Sequence, residues 1–581
     1  METLPRAEDR SALLPAVCLL LFAAVAGTVR LKAYDLFWHL ASGRWILEHG
    51  ALPRTDPFRF TSRGVLWVDH EWLFQVVIAG MERVWGLPSL VVGLAVLVVA
   101  LAALLFTSLR RAGAPAAGAA LVVLVAVLGA RGRFFLRPEL ASLFLLPLSI
   151  ALLQAFRRTG SRVPALVLPA LVVLWVSFHP GALLAPGVTA AYLVGTRLPG
   201  GSGFPRRGER PIPLGWILGL PALTLLALLA NPYGARLFTV PLGIAEALRG
   251  LPGTNPEWLP VWKEPEPFLF FFCGVAALLG LAVLAALWAR RLDPATGLVA
   301  VLLAVLASTG LRHQGLFFVG AAFFAGEALA DLVRVRDPNQ EGRRLGKLLV
   351  PLACLLAAFW CVLPPSRGPL RPRQGAFRPG FGIEPGRFPE GAVDDLAKRQ
   401  GVGNLYNDVA FGGYLLWRLY PPRQVFIDAR NEVNPGLFHE LAAARASEEG
   451  WTALLARYGI DGALVRYDDR TRPVISPPVV PGGSPRVEHH TTNALFFPRE
   501  HFALVYWDDV AMIFLRRTPG REALLEREEY RFVHPEDRRA TLAQAEADPF
   551  FRAAAVEEIE RRLREDPGVV RALQLRQALE P

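Results

Sequence analysis

The chain has 581 residues, of which 53% are hydrophobic and 19% charged. Soluble domains carry roughly 25% charge, and here the apolar residues gather in long runs before about residue 365. That distribution excludes a purely soluble enzyme, a disordered chain and a small disulfide scaffold. The net charge of +11 is uneven: residues 1–369 hold 33 Lys/Arg against 20 Asp/Glu, and residues 370–581 hold 29 against 31. The positive excess belongs to the apolar part, where basic loops act as topology signals. No nucleic-acid motif accompanies it, so no nucleic-acid partner is expected. Cys18, Cys273, Cys354 and Cys361 all lie in apolar runs, which leaves the C-terminal part without a disulfide framework.

A membrane span needs about 20 apolar residues. Eleven candidates occur, at 12–29, 87–109, 114–130, 138–156, 163–178, 181–196, 212–230, 267–289, 295–311, 314–333 and 346–363. The first resembles a signal peptide but lacks a clean small-x-small cleavage site. Arg110-Arg111, Arg157-Arg158, Arg206-Arg207, Arg290-Arg291 and Arg343-Arg344 each follow an even-numbered span. By the positive-inside rule this predicts a cytoplasmic N-terminus. Residues 30–86, 231–266 and 364–581 then face outward from a bacterial inner membrane, toward the periplasm or exterior. The expected architecture is a polytopic α-helical membrane domain over 1–365, a linker over 366–392, an external α/β domain over 393–518 and a helical segment over 519–581.

The first outer segment, 30–86, is rich in chemistry. Asp35 to Gly50 reads as a helix, with Asp35 as N-cap and Gly50 as stop. Asp35 and His39 then lie one turn apart on one face, a pairing suited to proton removal or metal binding. Further on, Asp69, His70 and Glu71 sit between Trp67 and Trp72, and 71–85 reads as an amphipathic interfacial helix. His70-Glu71 lacks the second His of a zinc-protease motif. Asp35 and Asp69 also have a plain alternative, as helix caps.

Three outer turns follow: Trp175 to Pro180 with His179, Asn231 to Gly234 with Tyr233, and Ser308 to Gln314 with Arg312 and His313. Arg131, Arg133 and Arg137 also fall at outer helix ends, against the topology rule. They either snorkel or pair with Glu139, or they form an anion site, since a planar guanidinium suits phosphate. Polar and basic groups thus collect on one face, while the cytoplasmic loops show Arg clusters and prolines.

Asp35-Leu36-Phe37-Trp38-His39-Leu40, Trp67 to Trp72, Arg137-Pro138-Glu139, Asn231 to Gly234 and Arg312-His313 stand in an order that resembles GT-C superfamily integral-membrane glycosyltransferases. The similarity is to relatives of the mannosyltransferase and lipid A aminoarabinose-transferase groups, and it covers most of residues 30–320. The resemblance implies transfer of a hexosyl or pentosyl sugar from a polyprenyl-phosphate donor to a glycan, lipid or protein acceptor, with membrane lipids as surroundings. It implies Asp35 as base, with His39 and Asp69 orienting the base or a divalent metal ion. Arg131, Arg137, His179, Arg312 and His313 would bind substrate, and His70, Glu71 and Tyr233 would support them. Some family members pair two acidic residues where this chain has Asp35-Leu36. No D-x-D and no GxxxxGK[ST] occurs, which argues against a soluble nucleotide-sugar enzyme and an ATP-driven pump. A lipid or solute transporter or flippase, and a non-catalytic envelope scaffold, are the other classes to weigh.

In the C-terminal part, 394–400 reads as helix, Asn404 to Asp408 as a strand end, Gln424 to Arg430 as a buried strand, and 451–466 as helix then strand. Phe411 to Leu415 permits close backbone approach. Phe502–Tyr506 and Ala511–Leu515 flank Trp507-Asp508-Asp509 as a hairpin. Asn407, Asp408, Asp428 and Arg430 form either a strand-end site or ordinary turn chemistry. Residues 519–581 read as amphipathic helices with a solvated charged face.

Overall fold

A computed structural model describes residues 7–200, 212–248, 257, 259–263, 272–335, 349–359, 379–468, 470–476 and 486–580. Every one of the eleven apolar runs contains a helix. Five are long and apolar enough to cross a bilayer: Leu87–Ala112, Ala116–Arg133, Glu139–Thr159, Phe272–Ala289 and Leu311–Arg334. The apolar parts of the other six that the described residues cover measure 10–17 residues. Glycines set several ends: Gly113 and Gly160 take left-handed conformations that close Leu87–Ala112 and Glu139–Thr159. Large apolar side chains stay exposed along these helices, among them Val96, Leu166, Leu218, Leu287, Val305 and Leu355. Such a belt is what a bilayer covers.

Arg110-Arg111 and Arg157-Arg158 close the helices Leu87–Ala112 and Glu139–Thr159, at the end of the bundle away from the C-terminal part. Arg206-Arg207 and Arg343-Arg344 lie outside the described residues. The same end holds buried charges that apolar periodicity hid. Arg157 pairs with Asp293 at 2.6 Å, and Gln154 donates to Glu327 at 2.8 Å. These bonds tie three helices of the bundle together across lipid depth, where unpaired polar groups are costly.

At the other end, Asp35–His49 packs against Trp72–Trp85 so closely that a Cβ on Gly43 would overlap the Gln75 carbonyl. The helix Val409–Leu419 lies on the opposite side of Asp35–His49. There a Cβ on Gly413 would come within 3.0 Å of the Tyr34 carbonyl. One apolar core results, joining Leu36, Phe37, Phe58, Trp67 and Phe74 to Phe388, Phe411, Tyr414 and Ile513. The first outer segment and the C-terminal part are thereby a single packed body.

Four strands form the main sheet, in the order β1-β2-β6-β5. β1 (Asn404–Asn407) runs parallel to β2 (Ile460–Arg466). β5 (Phe502–Trp507) and β6 (Ala511–Arg516) are the expected hairpin, whose turn is held by Asp508 accepting from the Val510 and Ala511 amides. β3 (Thr471–Ser476) and β4 (Arg486–Thr491) make a separate ribbon. Gln424 to Arg430 departs from expectation. It is buried but joins no strand of the sheet; Val425 bridges to Arg59 of the first outer segment instead. The helices after residue 519 form as expected, yet Ile559, Leu575 and Leu579 enter the same core as Phe426 and Trp507.

Candidate functional site

Asp35 opens the helix Asp35–His49 but does not cap it. Tyr34 holds the cap position, without a side-chain bond, and Asp35 turns instead to Arg137, with Oδ2 3.1 Å from Nη2. The other amino group of Arg137, Nη1, reaches Glu257 at 3.2 Å. Glu257 also meets Arg133 at 3.2 Å, and Arg133 holds Glu139 at 2.6 Å. Five side chains therefore alternate in sign: Asp35, Arg137, Glu257, Arg133, Glu139. Partial burial raises the Asp35 pKa; Arg137 pulls it back, and the Glu257 and Glu139 carboxylates add to the rise. For Arg137, burial favours the neutral form, but Asp35 and Glu257 outweigh it and raise its pKa.

One turn along the helix, His39 Nε2 lies 3.8 Å from Glu71, and His70 Nε2 lies 3.6 Å from the other Glu71 oxygen. His39 is 1% exposed, and burial holds its pKa well below the usual histidine range. Burial also lifts the Glu71 pKa well above the carboxylate range, and the Glu432 and Asp69 carboxylates lift it further. Asp69 is no cap either, since Glu71 precedes Trp72–Trp85. Its Oδ1 accepts from Gln75 at 2.5 Å, while Oδ2 is buried without a hydrogen-bond partner. Burial pushes the Asp69 pKa up to about 7, against the pull of Gln75 and Arg430. Tyr233 stands beside Asp69, close enough to feel its charge. Its neighbour Asn231 ties the turn, bonding the Leu228 and Gly234 carbonyls.

His179 comes in from the turn after Val163–Phe178. Its Nδ1 takes the Gly181 amide at 3.0 Å and contacts the Ser142 hydroxyl at 2.7 Å, which itself accepts from Trp175 Nε1 at 2.8 Å. A backbone N–H always donates, so Nδ1 is the acceptor and the proton of the neutral ring sits on Nε2. Arg312 lies near His179 and Glu71, close enough to act on the titration of both. His313 follows it, with Nδ1 buried and without a hydrogen-bond partner. Arg131 is buried and its charge acts on Lys32, whose pKa falls to about 8 chiefly through burial.

Asp35, His39, Asp69, His70, Glu71, Arg137, His179, Tyr233, Arg312 and His313 therefore gather at one end of the bundle, and Arg131 shares the short turn Arg131–Arg133 with Arg133 of the charged chain. Sequence reasoning missed Glu257 and Glu432. Glu257 is one of three glutamates in the proline-rich stretch 251–267, and only the alternation of charge in space singles it out. Glu432 comes from the C-terminal part, on a loop pinned at both ends to the first outer segment. Arg430 meets Asp56 at 3.0 Å, and Asn434 donates to Ser62 at 3.3 Å. Arg59 completes that anchor by pairing with Asp428 at 2.5 Å; Asp56, Arg59, Asp428 and Arg430 have fully buried side chains. Arg430 also lies 4.5 Å from the centre of the Trp67 ring. Asp428 and Arg430 are thus an internal anchor rather than a strand-end ligand site. Asn407 likewise serves the backbone, bonding the Phe426 amide and the Ile427 carbonyl.

Beside the charged chain runs an apolar groove of about 350 Å³, lined by Phe74, Ile78, Leu94, Leu140, Phe144 and Phe178 among others. Leu136 and Leu140, which flank Arg137 and Glu139, form part of its wall. Among the described residues no three His, Cys, Asp or Glu side chains come together in a way that could hold a metal ion.

No family model and no curated protein matches the sequence. Solved structures do match in fold. The oligosaccharyltransferase of Archaeoglobus fulgidus in its apo form aligns over 94% of this chain and 86% of its own, at TM-score 0.53 and 10% identity. ArnT from Cupriavidus metallidurans bound to undecaprenyl phosphate covers 88% of this chain and 99% of its own, at 0.49 and 12%. Its apo state covers 87% and 98%, at 0.47 and 13%. The first likeness shows the fold: the chain shares the overall architecture of that oligosaccharyltransferase, a helical bundle carrying its C-terminal part at one end.

Proposed function

We propose that the chain is a membrane glycosyltransferase that moves a sugar from a polyprenyl-phosphate carrier to an acceptor hydroxyl or amide. The observation that carries this reading is the alternating Asp35–Arg137–Glu257–Arg133–Glu139 chain, whose Arg137 and Glu139 are flanked by Leu136 and Leu140 in the wall of an apolar groove. The groove suits an isoprenoid tail, and the guanidinium groups suit the phosphate that follows it. A fold shared with an oligosaccharyltransferase supports the same class of reaction.

The chemistry follows from the geometry. Donor phosphate competes with carboxylates for Arg137. As it takes the guanidinium, Asp35 loses its counter-ion and becomes more basic. Asp35 accepts the acceptor's proton while the acceptor atom bonds to the anomeric carbon. The bond from that carbon to the phosphate oxygen breaks, and its electron pair leaves with the polyprenyl phosphate. Arg137 and Arg312 stabilise the charge that grows on the departing phosphate. His39, one helical turn from Asp35, and Asp69, beyond Glu71 from it, orient the base. His179 offers its Nε2–H as a donor, and Glu71, His70, Tyr233 and His313 shape the wall. On this reading the site faces the exterior of a bacterial inner membrane and the N-terminus lies in the cytoplasm.

Binding tests it directly. Native mass spectrometry of the full chain in nanodiscs, titrated with undecaprenyl phosphate, should show a bound lipid whose affinity drops in Arg137→Gln. One lost charge-assisted bond costs about 1.5–3 kcal/mol, roughly a tenfold to hundredfold loss. Equal retention of the lipid by both proteins would overturn the phosphate site.

A further inference from the structure

The C-terminal part carries a second cavity, remote from Asp35 in the sequence and unused by the chemistry above. It is a cleft of about 800 Å³ between the helix Glu390–Lys398, the edge strand β5 and the C-terminal helices. Its volume falls within the roughly 300–1,000 Å³ usual for ligand sites.

The walls define what would fit. Lys398, Arg399, Arg527, Arg561 and Arg562 face Asp394, Asp395, Glu528, Glu565 and Asp566. Five cations and five carboxylates balance, so neither a phosphate nor a metal ion is favoured on charge. An apolar ligand is disfavoured by the same walls. Strand addition by a peptide meets an edge already in use: the Leu504 carbonyl takes the Tyr530 amide at 2.8 Å, and Arg399 reaches the Val505 carbonyl at 3.5 Å.

What the cleft does offer is fixed, planar hydrogen-bonding groups. Arg562 is only 4% exposed; it lies 4.6 Å from the Tyr506 ring centre and holds Glu565 at 2.7 Å. Arg399 bridges Asp395 at 2.5 Å and Glu528 at 2.6 Å. Arg418 holds Asp394 at 2.5 Å from behind. The Glu565, Asp566 and Asp394 side chains remain 52%, 54% and 54% exposed, with acceptor oxygens still available. Asp394 and Glu565, each bonded to a guanidinium, and Asp566, whose Oδ1 accepts the Gly568 amide at 2.9 Å, stand in a cleft of balanced charge and match the adjacent hydroxyls of a sugar ring, because each can still accept.

The geometry points to a saccharide-binding cleft in the C-terminal part, formed by Asp394, Arg399, Arg562, Glu565 and Asp566, that holds a glycan chain apart from the transfer site. This inference goes beyond the proposed reaction and does not depend on it. The test uses the purified full chain in nanodiscs on an array of neutral and acidic oligosaccharides, followed by calorimetry with the strongest binder. Binding is expected, with affinity falling about tenfold or more in Asp394→Asn/Glu565→Gln, whose side chains are exposed enough to leave the fold intact. Asp35→Asn should bind the same glycan as tightly as the parent, which separates this cleft from the transfer site. Absence of any array binder, or a glycan whose affinity the double substitution leaves unchanged, would overturn the proposal.

Discussion

Asp35 is the residue on which proton transfer rests, and its contact with Arg137 makes the expected effect of substitution specific. Asp35→Asn keeps the shape, and since Asp35 forms no cap bond the helix loses little. Loss of general-base assistance typically lowers a rate by about 10²–10⁴. A folded variant with sugar transfer lowered by that factor is the expected outcome in a radiolabelled transfer assay; transfer at the parental rate would remove Asp35 from the chemistry. Asp69 gives a pH prediction instead. Its pKa is raised to about 7 in the folded chain, against about 3.9 when unfolded. Folding therefore binds a proton between these values, and this contribution to stability is lost as pH rises from about 4 to about 7. Thermal unfolding of Asp69→Asn should lose less stability between about pH 5 and pH 8 than the parent does; equal losses would place the Asp69 titration elsewhere. Residue types and loop positions made Asp35, Asp69 and Arg137 legible in sequence. Their partners were not, because Glu257 is distant in the chain and its stretch carries no motif. The cap readings of Asp35 and Asp69 failed for a related reason: tertiary partners, Arg137 and Gln75, took the carboxylates.

At the level of elements, the decisive join is between the first outer segment and the loop Asp428 to Asn434. Four side chains, Asp56, Arg59, Asp428 and Arg430, are sealed from solvent there. Removing one partner of such a network typically costs about 3–5 kcal/mol, because the others stay buried without compensation. Arg430→Met should lower the unfolding midpoint strongly and weaken docking of the C-terminal part, as read by limited proteolysis. A midpoint unchanged from the parent would show that the anchor contributes nothing. The sequence pattern of Gln424 to Arg430 read as a buried strand because its apolar residues are contiguous. Burial was legible in that run, but the partner was not: the segment packs on Arg59 and Phe58 rather than on a sheet. The glycine pair Gly412-Gly413 did announce close approach, and the structure supplies its reason: Gly412 meets the Ile427 carbonyl, and Gly413 the Tyr34 carbonyl and the Trp38 amide.

For the whole molecule, hydropathy located all eleven apolar helices, because a bilayer demands continuous apolar surface whatever the packing inside. Several runs, 163–178 and 181–196 among them, are already short for a span in the sequence, and Val163–Phe178 forms with those bounds. Hydropathy did not predict the buried Arg157–Asp293 pair, which only neighbouring helices reveal. Orientation rests on the basic pairs; reporter fusions after Arg207 and after residue 370 should report opposite faces of the membrane, and a shared face would break the eleven-span topology. The central claim is that a polyprenyl phosphate binds with its tail in the groove and its phosphate on the arginines beside Asp35. An electron cryo-microscopy structure of the full chain with undecaprenyl phosphate tests it most directly. The expected result is the tail along Phe74, Leu140 and Phe144, the phosphate within hydrogen-bond distance of Arg137, and Asp35 released from that guanidinium. A phosphate bound away from Arg137, with the Asp35–Arg137 pair intact, would contradict it.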